Sequence, residues 1–203
     1  GNAESGFPNL SANGRFVVFH SGATNLVPGQ AGLTLGELNV YLRDRVARTT
    51  TLVSATPAGL PGDGSSTRLV ISRDGRYVAY ASYATDLVAG DTNDSQDILR
   101  WDRLTDTTVL VTQDLVDNPA NDDSFDPSIS GDGSVVAYSS EATDLAFNDT
   151  NGASDVFAWR AATGNSALVS VDDGGQIADG PSYTGLVSAD GEHVAFSSNA
   201  TDL

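Results

Sequence analysis

The sequence predicts an all-β chain, a β-propeller of four-stranded antiparallel blades, and three observations predict it. A block of about 58 residues recurs in register, with equivalent glycines at Gly14, Gly75, Gly133 and Gly191. Each copy places Asn-Gly or Asp-Gly between two short apolar segments, the strongest local hairpin signal because the turn needs a positive φ that Gly, Asn and Asp tolerate. The acids are overwhelmingly aspartate, a residue that prefers turns and strand ends to helices.

The first two strands of each copy flank that turn. Ser11 to Phe19, Ser72 to Tyr80, Ser130 to Tyr138 and Ser188 to Phe196 superimpose without gaps. In the second copy Leu69-Val-Ile71 enters the turn and Tyr77-Val-Ala-Tyr80 leaves it, with the small and apolar character of a strand buried on both faces. A second signature follows at constant distance: Ala23-Thr-Asn-Leu26, Ala84-Thr-Asp-Leu87, Ala142-Thr-Asp-Leu145 and Ala200-Thr-Asp-Leu203. Third strands are predicted at Asn39-Val-Tyr-Leu42, Asp97 to Asp102 and Asp155 to Trp159. Fourth strands are predicted at Thr49 to Ser54, Thr107 to Thr112 and Ser166 to Ser170, β-branched or alternating runs after a polar turn.

One such sheet cannot bury both of its faces. Radial stacking of sheets about an axis solves this as a propeller, with a β-sandwich as the alternative. The run Pro127-Ser-Ile-Ser-Gly-Asp-Gly133 with Val136-Ala-Tyr138, then Ala142-Thr-Asp-Leu145, Asp149-Thr-Asn-Gly152 and Asp155-Val-Phe157, closely resembles the repeats of TolB-like propellers, a WD-like family. The resemblance covers nearly the whole chain from Ser5 and implies an extracellular or periplasmic setting. It is specific for fold rather than activity, since that repeat serves scaffolds, gating domains of peptidases and several lyases. We read residues 1–203 as a single propeller unit with repeats at 5–62, 63–123, 124–180 and an incomplete 181–203. Propellers close with at least four blades, so the chain reads as a segment of a larger ring, with a swapped assembly of short chains as the alternative. The chain lacks methionine even at position 1, so Gly1 reads as a processed or cut end.

Composition narrows the partners. Ten Lys+Arg, all arginine, face 27 Asp+Glu for a net charge of -17, which repels phosphate backbones and argues against nucleic acid. No run of eighteen apolar residues exists to insert in a membrane. Without cysteine there is no disulfide or thiolate metal site.

The strongest site candidate is the loop Asp91-Thr-Asn-Asp-Ser-Gln-Asp97, matched by Asp149-Thr-Asn-Gly-Ala-Ser-Asp155. Alternating oxygen donors in a tight loop suit calcium, with Asp91, Asn93 and Asp97 in one copy and Asp149, Asn151 and Asp155 in the other as the protein ligands. The competing reading is an Asx-turn, in which these side chains cap the loop's own amides. The first copy carries Gln30 and Asn39 in place of the two carboxylates and is expected to hold no cation. His20 and His193 occupy non-equivalent strand positions and form no metal or catalytic constellation, and no nucleophile elbow or triad can be named. Trp101 and Trp159 are equivalent and expected to pack between blades rather than stack on sugars. Asn9, Asn93, Asn148 and Asn199 fit the glycosylation pattern, and two of them lie in or beside the repeat loop.

Three function classes follow. The first is a non-catalytic scaffold or binding module for a protein partner or for surface assembly, with calcium as its only candidate cofactor. The second is an accessory propeller of a secreted peptidase or polysaccharide lyase whose catalysis lies elsewhere. The third is a glycan-binding lectin. The connections Asp114 to Asp126 and Asp172 to Asp179 are expected beside Asp91 and Asp149, on a face suited to a basic or calcium-bridged partner.

Overall fold

A computed structural model describes residues 1–203. It holds fourteen strands and no helix. Blade 1 is β1 (Ser5–Leu10), β2 (Phe16–Ser21), β3 (Asn39–Asp44) and β4 (Thr49–Leu52). Blade 2 is β5 (Ser66–Ile71), β6 (Tyr77–Ser82), β7 (Asp97–Asp102) and β8 (Thr107–Leu110). Blade 3 is β9 (Ser124–Ile129), β10 (Val135–Ser140), β11 (Asp155–Arg160) and β12 (Asn165–Leu168), and β13 (Ser182–Val187) pairs with β14 (Val194–Ser198) as a fourth, two-stranded sheet. All pairing is antiparallel and sequential, and the first strands of successive sheets lie side by side. No helix is long and apolar enough to cross a membrane.

The cores lie between blades. Phe16, Val18, Val40 and Leu42 of blade 1 meet Leu69, Val78, Tyr80 and Leu99 of blade 2. The other face of blade 2, with Ala79, Ala81 and Ile98, meets Val136, Tyr138, Phe157 and Trp159 of blade 3. A strand packed on both sides needs no polar face, which is why β6 and β10 read as nearly continuous apolar or small residues.

The Asp-Gly turns join first to second strands, as expected. In each, a serine hydroxyl donates to the Asp or Asn side chain and accepts an amide at or just before the start of the second strand, as Ser130 does with Asp132 at 2.8 Å and with Val135 N at 3.0 Å. Gly133 has φ +73°, and a Cβ there would stand 2.2 Å from Tyr77 Cδ2 of the preceding blade. The turns also link blades through backbone bonds: Ala12 N to Arg73 O, Arg73 N to Gly131 O and Gly131 N to Ala189 O, all 2.8 to 2.9 Å.

Two features depart from or exceed the sequence reading. The fourth strands stop two residues short of Ser54, Thr112 and Ser170, because those hydroxyls turn inward, each accepting the amide of the third strand's second residue and donating to the first residue's side chain. The Ala-Thr-Asp-Leu signature, to which the sequence assigned no role, is a clasp. Its threonine donates through backbone and hydroxyl to Asp63 and Asp179, and exchanges bonds with the amides of Asn2 and Asn121.

Candidate functional site

Strand direction alternates, so the loops from second to third strands and the connections between blades share one face, here termed the loop face. The short turns occupy the opposite, turn face. The loops sit directly on the connections, as expected: Asn93 Nδ2 donates to Ala120 O at 2.7 Å, Gln96 N to Asp123 Oδ1 at 2.7 Å, and Asn151 Nδ2 to Ala178 O at 3.0 Å.

Charge is segregated between the faces. None of the ten arginines lies in a second-to-third-strand loop or a blade connection, whereas most of the 27 acids do. The arginines occupy turns and strands, where they are largely committed. Arg15 and Arg76 form two-pronged pairs with Asp44 and Asp102, each with a 2.7 Å contact. Arg100 lies between Tyr77 and Trp159, 4.3 and 4.8 Å from their centroids, and donates to Gly133 O. Trp101 and Trp159 are each only 4% exposed, so neither offers a face to a sugar.

The paired loops bring Asp91 to Asp97 and Asp149 to Asp155 closely enough for each pair's charges to interact. Asp97 Oδ1 accepts Thr112 Oγ1 at 2.5 Å and Asp155 Oδ1 accepts Ser170 Oγ at 2.6 Å. Asp91 Oδ1, Asp97 Oδ2 and Asp149 Oδ1 are buried without a hydrogen-bond partner. Burial pushes Asp97 up to about 7, reinforced by Asp91, and pushes Asp91 up to about 6. Burial also raises Asp149 and Asp155. The asparagines take the turn role: Asn93 Oδ1 accepts Ser95 N at 3.3 Å and Asn151 Oδ1 accepts Ala153 N at 2.9 Å. Asn151 Nδ2 also donates to Asp155 Oδ2 at 2.9 Å. No three His, Cys, Asp or Glu side chains converge as a metal cluster. In blade 1, Gln30 Nε2 instead donates to Gly59 O at 2.9 Å and Asn39 Oδ1 accepts Ser54 Oγ at 3.1 Å.

Beside these loops, Phe147 is 80% exposed at the rim of a groove of about 630 Å3 formed by residues 146–148, 150, 151, 168, 171 and 175–179.

A second concavity, of about 700 Å3, lies among the first strands of all four sheets and is lined by Phe7, His20, Arg68, Asp126, Thr184 and Leu186 among others. Phe7, Arg68, Asp126 and Thr184 are equivalent and all have φ between 48° and 57°, each at an irregularity in pairing with the second strand. Such bulges re-aim a side chain at a cost in strain. Arg68 pairs with Asp126, and Phe7 meets His20 edge-on at 5.1 Å. Periodicity gives no warning of this, because nothing in Arg68 or Thr184 marks a left-handed residue. His193, by contrast, is exposed and remote from His20 in role.

No protein-family model and no curated protein matches the sequence. Solved structures do resemble the fold. TolB from Acinetobacter baumannii superposes with a TM-score of 0.57 at 16% identity, over 99% of this chain and 39% of that one. A prolyl endopeptidase gives 0.57 at 12% identity, over 97% and 26%. Oligogalacturonate lyase from Vibrio parahaemolyticus gives 0.52 at 11% identity, over 94% and 44%. This chain thus spans less than half the length of each. The fold is a TolB-like β-propeller built of blades.

Proposed function

We propose that residues 1–203 act as one non-catalytic propeller unit, extracellular or periplasmic, that binds a basic protein partner on its loop face. The segregation of charge carries this reading. A face with many carboxylates and no arginine attracts cations and basic surfaces and raises their association rate, an effect that salt screens. The exposed Phe147 in its groove supplies an apolar anchor within that field, the kind of residue that concentrates binding energy.

The experiment is a selection from a displayed random-peptide library on the immobilised chain, counter-tested with Asp94, Asp117, Asp122 and Asp173, all exposed, changed to asparagine. Enriched peptides should be rich in Lys and Arg with an apolar residue, and should bind the variant at least tenfold more weakly. Neutral or acidic ligands, or ligands indifferent to the variant, would overturn the proposal. A propeller attached to a peptidase or lyase is the second reading, supported by the likeness to enzymes of which this chain spans only part.

A further inference from the structure

Two loops of the same face bury carboxylate oxygens with nothing to balance them. Asp91 is 6% exposed, Asp97 1% and Asp149 8%, and each keeps one side-chain oxygen with no donor. Burial strips a carboxylate of its water, so one without a partner recruits a counter-charge or takes up a proton. No arginine stands in these loops to supply the charge.

We propose that the loops of blades 2 and 3 each bind one divalent cation, calcium by preference, through Asp91 with Asp97 and through Asp149 with Asp155, and that blade 1 binds none. The donors are oxygens only, with no His or Cys, which selects a hard cation over zinc or copper. Two carboxylates leave most of calcium's six to eight positions to backbone carbonyls and water, which an irregular loop supplies more readily than the strict octahedron magnesium demands. In blade 3, Ser154 Oγ is a further buried oxygen without a partner.

Blade 1 is the internal control. The hydroxyl that anchors Asp97 and Asp155 is there too, as Ser54 on Asn39, in a loop three residues longer, so the anchoring bond is shared while the charge is absent. Gln30 and Asn39 are satisfied by neutral neighbours, and no oxygen of theirs is orphaned. Cation binding in these loops needs no macromolecular partner, so metal alone tests it.

Chelator-treated protein titrated calorimetrically with calcium chloride should take up two equivalents, and calcium at a hundredfold excess over Kd should raise Tm by about 5–10 °C per site. Asp97→Asn and Asp149→Asn should each remove one equivalent and their combination both. Asp91→Gln with Asp97→Asn copies the pair that blade 1 already folds with, and should also leave one equivalent, which separates loss of metal from loss of fold. Superimposable melting curves with chelator and with millimolar calcium would overturn the proposal. So would uptake that survives the double substitution, since that is diffuse attraction to an acidic surface.

Discussion

Thr85 and Asp63 hold one another across 22 residues: the threonine amide donates to one carboxylate oxygen at 2.7 Å and its hydroxyl to the other at 2.9 Å. The contact fastens the segment entering a blade's first strand to the end of its second. Asn121 makes the equivalent clasp in the next blade with an amide. Asp63→Asn is therefore expected to leave Tm within about 2 °C, while Asp63→Ala, which orphans the amide, should cost about 1–2 kcal/mol in urea unfolding.

Gly133 serves both a turn and a blade contact. Gly133→Ala combines a left-handed φ with a Cβ driven into the Tyr77 ring, so it should cost about 3 kcal/mol or more. Gly152 also has a positive φ, +62°, but nothing lies within 4 Å of its added Cβ. Gly152→Ala should cost only about 1 kcal/mol, the conformational part alone. Equal losses in the two variants would refute the packing role.

Asp102 is held below the usual carboxylate range, chiefly by the Arg76 guanidinium. Its folded-state pKa is depressed, so its contribution to stability is present above the unfolded value of about 4 and is lost as pH falls through the lower folded value. Arg76→Gln should lower the urea midpoint at pH 7 and lose less on going from pH 5 to pH 2.5 than the parent does. Parallel pH profiles would contradict the pairing.

Thr184 is a β-branched residue at φ +57°, a conformation glycine adopts without strain. Thr184→Gly is expected to be neutral or to stabilise by up to about 1 kcal/mol, and Arg68→Gly likewise once its exposed pair with Asp126 is discounted. A loss above about 1 kcal/mol in either would show that these side chains hold the structure and are not merely presented to the concavity.

Repeat register and turn chemistry made the blades legible, because Ser-x-Asp-Gly and the double-faced apolar strands each answer to a local physical demand. The paired carboxylates were legible for the same reason, as Asp91 with Asp97 and Asp149 with Asp155 flank short loops. The fate of the asparagines was not: an amide at that spacing serves equally as ligand or as turn cap, and Ala120 and Ala178, whose carbonyls hold Asn93 and Asn151, lie in the following connection. The clasp escaped because its partners, Asn2, Asp63, Asn121 and Asp179, fall in turn-rich segments where Asp and Asn are common. The first-strand bulges escaped because four unlike residues, Phe, Arg, Asp and Thr, share one backbone conformation that no common side-chain type marks.

The segregation of charge is tested most directly by the salt dependence of binding to a selected basic peptide in two neutralised variants. One changes Asp94, Asp117, Asp122 and Asp173 of the loop face to asparagine; the other changes Asp74 to asparagine and Glu192 to glutamine on the turn face. The loop-face variant should bind more weakly and show a much shallower fall of log affinity with log salt between 50 and 300 mM, while the turn-face variant keeps the parent's slope. Equal slopes for the two variants, or a shallower slope only for the turn-face one, would contradict docking on the loop face.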